Sequence, residues 1–136
     1  AMRRAAAGFV VLAAGVLTTV ALAATGKWEA ASTTALSITG DIELSADRIS
    51  FQNGDSIGLK PVDGQPDLFT LDPPDANPLL LNGNTLCSPD HPPKYLAFPQ
   101  DGSTLYLLAF DGPGIPTLVK NPLDQPDICA LYTYAQ

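Results

Sequence analysis

The feature that most constrains this chain is the two-residue alternation of apolar and polar side chains after residue 26. Ile42 and Leu44 flank Glu43, for example, and no helical period persists in this part of the chain. The alternating runs are short and are interrupted by Gly, Asn, Asp and Pro. Because successive side chains of a β-strand point to opposite faces, the pattern is typical of short strands buried on one face. The chain after residue 26 is therefore predicted to be all-β.

The alternation also predicts where the first strands turn. Residues 36–44 keep one parity and are predicted to form a single strand, bent or bulged at Gly40. The inward parity then changes at a turn over residues 45–47. Asn53-Gly54 predicts the following hairpin, with a type I′ turn, because both central residues of that turn need positive φ.

Later segments supply the remaining strand candidates. They are the apolar or alternating runs at 68–71, 79–81, 85–87, 95–98, 104–110 and 128–134. Prolines separate several of these runs, and proline has no amide to donate within a sheet. About eight short strands predict a small antiparallel barrel or sandwich, and closure into a barrel would remove exposed sheet edges.

A basic and then apolar segment precedes the β region. Two adjacent arginines are followed by an uncharged, mostly apolar run over residues 5–25 that contains Ala-Leu-Ala-Ala near its end. A basic start, an apolar middle and a small-x-small end are the parts of a secretory signal. We predict that residues 1–23 are an export signal, cleaved after Ala23, and that residues 24–136 form one domain.

The same segment has a second interpretation as an uncleaved membrane anchor. A helix of about 20 apolar residues crosses the hydrocarbon core, and residues 5–24 reach that length. The run is rich in Ala and therefore weakly hydrophobic, and Lys27 alone follows it instead of a basic stop-transfer cluster. In both interpretations the run is one hydrophobic helix and the domain lies outside the cytoplasm. We predict a periplasmic or secreted protein, with a single inner-membrane span as the alternative.

The charge of the predicted domain limits its partners. All 14 acidic residues lie after residue 23, together with five of the seven basic ones, so residues 24–136 have a formal net charge of −9. Such a surface repels DNA, RNA and anionic lipid headgroups. We expect a solvated acidic surface that keeps the protein soluble outside the cell, with attraction of a basic partner as the alternative. We expect no nucleic-acid partner, and membrane contact only through an uncleaved N-terminal segment.

The chain contains two cysteines, Cys87 and Cys129. In an oxidising compartment such a pair predicts a disulfide. The bond would close a loop of about 43 residues and contribute up to roughly 4 kcal/mol in the chain-entropy model. A redox-active pair usually has Cys-x-x-Cys spacing, which this pair lacks. We predict a structural bond that aids stability without being a condition of folding.

The residues offer little support for catalysis. His91 is the single histidine and lies between Asp90 and Pro92 in a proline-rich loop. No serine occupies the Gly-x-Ser-x-Gly turn of a hydrolase nucleophile, and one histidine with two cysteines makes a poor zinc site. We predict no enzyme, no catalytic residue, no metal and no cofactor, and a His-dependent hydrolase is the least favoured function.

Acidic residues in the middle of the chain suggest calcium as a further alternative. The candidate ligands are the aspartates Asp63, Asp67, Asp72 and Asp75. Ca²⁺ takes six to eight oxygen ligands, but the spacing fits no calcium-binding loop. Aspartate is also a common turn residue, which explains the four positions equally well.

Gly26-Lys27-Trp28, just before the first predicted strand, resembles the Gly-x-Trp motif of calycins, the lipocalin-like barrels. In that family the Trp closes one end of the barrel and a basic residue of the last strand usually packs over it. The last predicted strand of this chain, residues 128–134, contains no Lys or Arg. The resemblance implies a barrel fold, and exported bacterial inhibitors of proteases and lysozyme include small barrels of this general kind.

A broader resemblance covers roughly residues 34–134. Its segments are Ser-Ile-Thr-Gly-Asp-Ile at 37–42, Arg-Ile-Ser-Phe-Gln-Asn-Gly at 48–54, Leu-Asn-Gly-Asn-Thr-Leu-Cys at 81–87 and Cys-Ala-Leu-Tyr-Thr-Tyr at 129–134. These segments are similar to small exported bacterial proteins of unknown function. The similarity implies an exported domain with paired cysteines and implies no activity.

Binding is the function that these observations favour. Proline-rich loops at 88–93 and 111–116 are stiff, so little entropy is lost when a partner binds them. Two tyrosines share one face of the last strand and would form a contact surface if that face is exposed to water. The predicted partner-binding residues are His91, Pro92, Pro93, Tyr132 and Tyr134.

We therefore predict an exported, non-enzymatic β-domain that acts by protein binding, with inhibitor-like action as one form of it. The alternative function belongs to a different class. It is a membrane-tethered accessory subunit of an envelope protein complex, in which residues 5–24 are retained as a transmembrane helix.

Overall fold

A computed structural model describes residues 25–136, and the predicted export segment lies outside these residues. Within this range the chain forms nine β-strands and one short α-helix. The strands are β1 (Gly26–Ala30), β2 (Ile42–Ser45), β3 (Arg48–Phe51), β4 (Ser56–Val62), β5 (Gln65–Asp72), β6 (Tyr95–Ala97), β7 (Gln100–Asp101), β8 (Thr104–Phe110) and β9 (Ala130–Ala135). The helix is α1 (Thr33–Ser37), and two 3₁₀ turns lie at Leu81–Gly83 and Pro122–Asp124.

The strands form a closed antiparallel barrel of eight strands with one extra strand. Each strand from β1 to β5 pairs with the next strand along the chain. β6 pairs with β8, β8 with β9, and β9 returns to β1, which closes the barrel. β7 is the extra strand and pairs with the start of β8. The predicted small antiparallel barrel is confirmed, and the sandwich alternative is wrong.

Alternate side chains of the eight strands fill the barrel interior. Trp28 pairs with Ile42 in register, and both point into the barrel. Trp28, Tyr132 and Tyr134 are the largest of these side chains, and each is at most 1% exposed. The two-residue parity of the sequence therefore predicts the core correctly, because one pleated face of every strand is turned inward.

A second apolar cluster lies on the outer face of the barrel. Leu68 and Leu108 belong to it, and both alternate with inward-facing neighbours on β5 and β8. The connection between β8 and β9, residues 111–129, crosses this face, and we call it the strap. Leu118 and Ile128 of the strap pack against the cluster. This second burial explains why β8 carries a nearly continuous apolar run instead of an alternating one.

Residues 36–44 do not form the single strand that their parity predicts. Ser32 caps α1 by accepting a hydrogen bond from the amide of Ala35 at 3.1 Å. Leu36 is 61% exposed on this helix, whereas Ala35 is fully buried and Ile38 packs against the core. Ala35 and Ile38 are three residues apart, so a helical turn buries both, and the serine cap starts that turn.

The predicted hairpin between β3 and β4 is confirmed, but its turn is not type I′. Gly54 has a φ of 96°, and Asn53 is not among the described residues with positive φ. Asn53 instead accepts a hydrogen bond from the Asp55 amide at 3.0 Å. Its Nδ2 donates to the carbonyl of Leu79 at 2.9 Å, so this turn is anchored to a distant loop. Leu79 itself is 63% exposed and Leu80 is buried, and residues 79–81 do not form the predicted strand but lead into the 3₁₀ turn at Leu81–Gly83.

The two ends of the barrel differ in what covers them. α1 and residues 79–87 lie together at one end, which we call the capped end; the Leu81 amide donates to the Ile38 carbonyl at 3.0 Å there. Turns at 46–47, 63–64 and 98–103 surround the other end, which we call the open mouth. Within residues 25–136, no helix has the length and apolar character needed to cross a membrane.

Candidate binding surfaces

Tyr132 and Tyr134 do not form a contact surface. Both side chains lie on the inward face of β9 and are 0% exposed. Leu131 and Thr133 occupy the opposite, outward parity of the same strand. The predicted contact role of these two tyrosines is therefore corrected. The face that they share is the buried one, and both side chains belong to the core.

Each tyrosine hydroxyl connects β9 to the capped end. Tyr132 donates a hydrogen bond to the Leu86 carbonyl at 2.6 Å. The Tyr134 hydroxyl lies 2.7 Å from Thr39 Oγ1, and Thr39 in turn donates to the Gly40 carbonyl at 2.9 Å. Burial raises the pKa of Tyr132 to about 12 and also raises the pKa of Tyr134. Both hydroxyls therefore stay protonated at neutral pH and act as structural groups.

The predicted disulfide is confirmed between Cys87 and Cys129. Their sequence separation is 42 and their Cα atoms are 5.4 Å apart. Cys87 follows Leu86 directly and Cys129 precedes β9, so the bond lies beside the Tyr132 hydrogen bond and strengthens the same connection. A disulfide is compatible with an oxidising compartment outside the cytoplasm.

Metal-ligand types come together at one place in the described part of the chain. Cys87, Asp111 and Cys129 have ligand atoms within 4.8 Å of one another. Both sulfurs are joined in the disulfide, so neither is a thiolate that a metal ion could bind. The four aspartates considered for calcium do not form such a group within residues 25–136.

The loop at 88–93 exposes one of its three predicted contact residues to solvent. His91 is exposed, and its amide donates to the Ser88 carbonyl at 3.2 Å. Pro92 is half-buried and Pro93 is buried, so the proline-rich end of the loop packs onto the barrel. Asn77 holds the start of the loop by donating to the carbonyl of Ser88 at 3.1 Å. The five predicted residues therefore do not make one exposed surface.

The open mouth contains a cleft of about 450 Å³. It extends from the rim of the barrel to the strap, which forms a second wall. Residues of both walls line it: Leu59, Phe69, Phe98, Leu118, Val119 and Gln125. The rings of Phe69 and Phe98 meet edge to face, with centroids 5.8 Å apart. The sequence did not predict this cleft, because its walls come from strands and connections that are far apart in the chain.

A buried side chain holds the strap in shape. Gln125 is 7% exposed, although it lies in a connection. Its Oε1 accepts a hydrogen bond from the Val119 amide at 2.9 Å, and its Nε2 donates to the Thr117 carbonyl at 3.0 Å. Both ends of the amide are therefore used within the strap. The segment is an ordered part of the fold, fixed by internal hydrogen bonds and by packing of Leu118.

The strap also exposes large apolar side chains. Ile115, Val119 and Leu123 are 58%, 40% and 63% exposed. The other exposed large apolar residues of the described chain are Leu36 and Leu79, both at the capped end. The loop at 111–116 is predicted as a stiff loop, but Val119 and Leu123 are missed. Asn121 is the sequence signal that could have predicted a turn at this point, because asparagine favours turns. Its Oδ1 accepts a hydrogen bond from the Leu123 amide at 3.1 Å.

Comparisons of the chain with protein-family models, with curated proteins and with solved structures find no match. The two resemblances described above therefore stay predictions. The function has to be argued from the residues of this chain and from their placement.

Proposed function

We propose that this chain is an exported β-barrel domain that binds a protein partner through the outer surface of the strap, without catalysis by its own residues. The observation that carries the proposal is the exposure of Ile115, Val119 and Leu123 on one ordered segment. Exposed apolar side chains that form a contiguous patch are typical of interaction sites, and the proposal takes these three to belong to one such patch. Partner binding would bury them without rearranging the barrel.

The strap has the properties of an inhibitor-like binding segment. Its backbone is restrained by four prolines and by the hydrogen bonds of Gln125. A segment that is ordered before it binds loses little conformational entropy in the complex. An ordered segment that exposes apolar side chains on a barrel is therefore suited to contact a groove of another protein.

Charge indicates the chemistry of the partner surface. Asp111, Asp124 and Asp127 lie on the strap, and Lys120 is its one basic residue. The rest of the domain is acidic as well, so a basic partner would be attracted at long range. We propose a partner that combines a basic surface with an apolar groove for Leu123.

The proposed location is the periplasm or the exterior of the cell. The basic and apolar N-terminal segment and the disulfide support export. The alternative is a membrane-tethered accessory subunit, and the length of the apolar run over residues 5–24 supports it. Binding through the strap is compatible with both forms, because the domain lies on the same side of the membrane in each.

Site-specific photo-crosslinking in the producing cell tests the partner-binding surface. A photoreactive residue is placed at Leu123 of the full chain, and a matched control is placed at Leu79. Both positions are 63% exposed, but they lie on the strap and on the capped end. We expect one discrete adduct from Leu123 and none from Leu79. Absence of an adduct at Leu123, or equal adducts at both positions, would contradict the proposal.

The intact mass of the native protein separates the two forms of the proposal. A mass that fits residues 24–136 and rises by two hydrogens on reduction indicates a released domain. A mass that includes residues before Ala24 indicates the membrane-tethered accessory subunit. The crosslinked adduct would then be sought in the membrane fraction.

A further inference from the structure

We propose that the cleft at the open mouth binds a small organic cation with an apolar body, such as an arylalkylammonium ion. This site goes beyond the proposed protein binding, which concerns the outer surface of the strap. Val119 is the residue that the two surfaces share, and neither Ile115 nor Leu123 lines the cleft. Failure of one proposal therefore leaves the other intact.

The size and position of the cleft suit a small molecule. Its volume of about 450 Å³ lies within the range of roughly 300 to 1,000 Å³ that is usual for ligand sites, and barrel mouths are common places for them. The interior beneath is filled, since Trp28 and Tyr132 are at most 1% exposed. A ligand would therefore rest on Leu44 and Leu59 at the mouth instead of entering the barrel.

The walls of the cleft favour an apolar body. Leu59, Phe69 and Phe98 come from the barrel side, and Leu118 comes from the strap. The edge-to-face contact between the two phenylalanines restrains both rings. Aromatic ring faces also attract cations through the negative potential of their π electrons. The same two side chains can therefore contact an apolar group and an ammonium group.

Charge selects a cation over an anion. Asp67 is the one charged side chain that lines the cleft, and no Lys, Arg or His residue does so within the described chain. A carboxylate ligand would be placed near Asp67 without a compensating positive charge. The whole chain has a formal net charge of −7, which also raises the local concentration of cations. The amide of Gln125 is already used within the strap, so Asp67 is the main polar determinant.

Three probes of matched shape test the inference. 4-Phenylbutylamine, 4-phenylbutanol and 4-phenylbutyrate are titrated separately into the ¹⁵N-labelled, oxidised protein, and amide shifts are followed by NMR. We expect the amine to bind about tenfold more tightly than the acid. Asp67 attracts the ammonium group of the amine and repels the carboxylate of the acid, and both interactions are exposed to solvent. The largest shifts should fall on the amides of Ser45, Gln100 and Val119, which line the cleft.

Two substitutions separate the roles of charge and apolar surface. Asp67→Asn should bring the affinities for amine and acid to within about twofold of each other, because the selective charge is gone. Asp63→Asn is the matched control, since Asp63 is exposed in the adjoining turn and does not line the cleft; it should keep the preference. Phe98→Ala should weaken the binding of all three probes, and that of the amine most, because the ring also attracts the ammonium group.

Three outcomes would overturn the inference. They are shifts from the amine that do not fall on the cleft, equal affinities for amine and acid in the unmodified protein, and a preference that survives Asp67→Asn. Asp67 is exposed, so the substitution does not disturb the core and the result does not depend on how Phe98→Ala folds.

Discussion

The capped end and the open mouth of the barrel are held by different kinds of interaction. At the capped end, β9 is joined to its neighbours by the disulfide and by the hydroxyls of Tyr132 and Tyr134. At the open mouth, the turns leave an apolar cleft, and the strap beside it is held by the amide of Gln125. The capped end concentrates covalent and hydrogen-bonded connections, whereas the open mouth has an apolar cleft beside part of the strap.

This difference teaches how a small barrel can present a binding surface without losing its fold. Exposed apolar groups contribute nothing to folding where they stay in water. The disulfide and the hydrogen bonds at the capped end supply stabilisation that the exposed apolar side chains do not. Binding and stability can therefore be changed separately, which the following experiments examine.

Removal of the disulfide should have the largest effect on stability. The double variant Cys87→Ala with Cys129→Ala loses a bond between two residues that are separated by 42 positions in the sequence. We expect the free energy of unfolding to fall by about 4 kcal/mol. Guanidinium denaturation of the variant and of the reduced wild type measures the loss. A variant that is fully unfolded at room temperature, or one as stable as the wild type, would break the comparison.

Alkaline pH should weaken the capped end next. The pKa of tyrosine is 10.0 when unfolded, and burial raises that of Tyr132 to about 12. Between these values the unfolded chain loses a proton that the folded protein keeps, so stability falls as pH rises. The expected slope is about 1.4 kcal/mol per pH unit for each buried tyrosine. Below pH 10 this contribution is fully present.

Urea denaturation at several pH values between 10 and 12 measures this slope. Tyr132→Phe should flatten it by the share of one tyrosine. Tyr106→Phe is the control, because Tyr106 lies on the outward parity of β8. An unchanged slope in Tyr132→Phe would show that ionisation of Tyr132 does not contribute to the loss of stability in alkali.

Loss of the strap amide should have the smallest effect, and a local one. Gln125→Leu keeps the volume but leaves the Val119 amide and the Thr117 carbonyl without their partner, at a cost of about 1–2 kcal/mol. Hydrogen exchange at Val119 should become faster while amides of the capped end are unchanged. Gln100→Leu, at an exposed position of the mouth, is the control. Unchanged exchange at Val119 would mean that packing of Leu118 alone holds the strap.

Much of the barrel was predictable because the period of a strand is a local property. Parity correctly predicts that Ile42 and Ile49 point into the core, and the paired cysteines predict their bond. The parity prediction failed at Leu36. There the Ser32 cap starts a helical turn, and that turn buries Ala35 and Ile38, which are three residues apart. Parity could not assign Tyr132 and Tyr134 to water or core, because a period of two gives two faces and does not say which is dry.

The candidate sites were less predictable, for a related reason. The stiff loop at 111–116 was correctly placed outside the strands, but the exposure of Leu123 depends on how the whole strap lies on β5, β6 and β8. The cleft combines Phe69, Phe98 and Leu118, which are distant in sequence. No local sequence pattern identifies these three residues as a site, because each of them alone is indistinguishable from an ordinary core residue.

The sequence alone specifies an all-β domain with a disulfide. Alternation is a local property of each strand, and two cysteines can form only one intramolecular bond. Closure of the barrel decided the rest. It turned one face of β9 inward, laid the strap over the outer face of β8, and, within residues 25–136, left a cleft at the opposite mouth. Which side chains meet, and which remain in water, follows from packing between segments far apart in sequence, and only the folded structure brings those segments together.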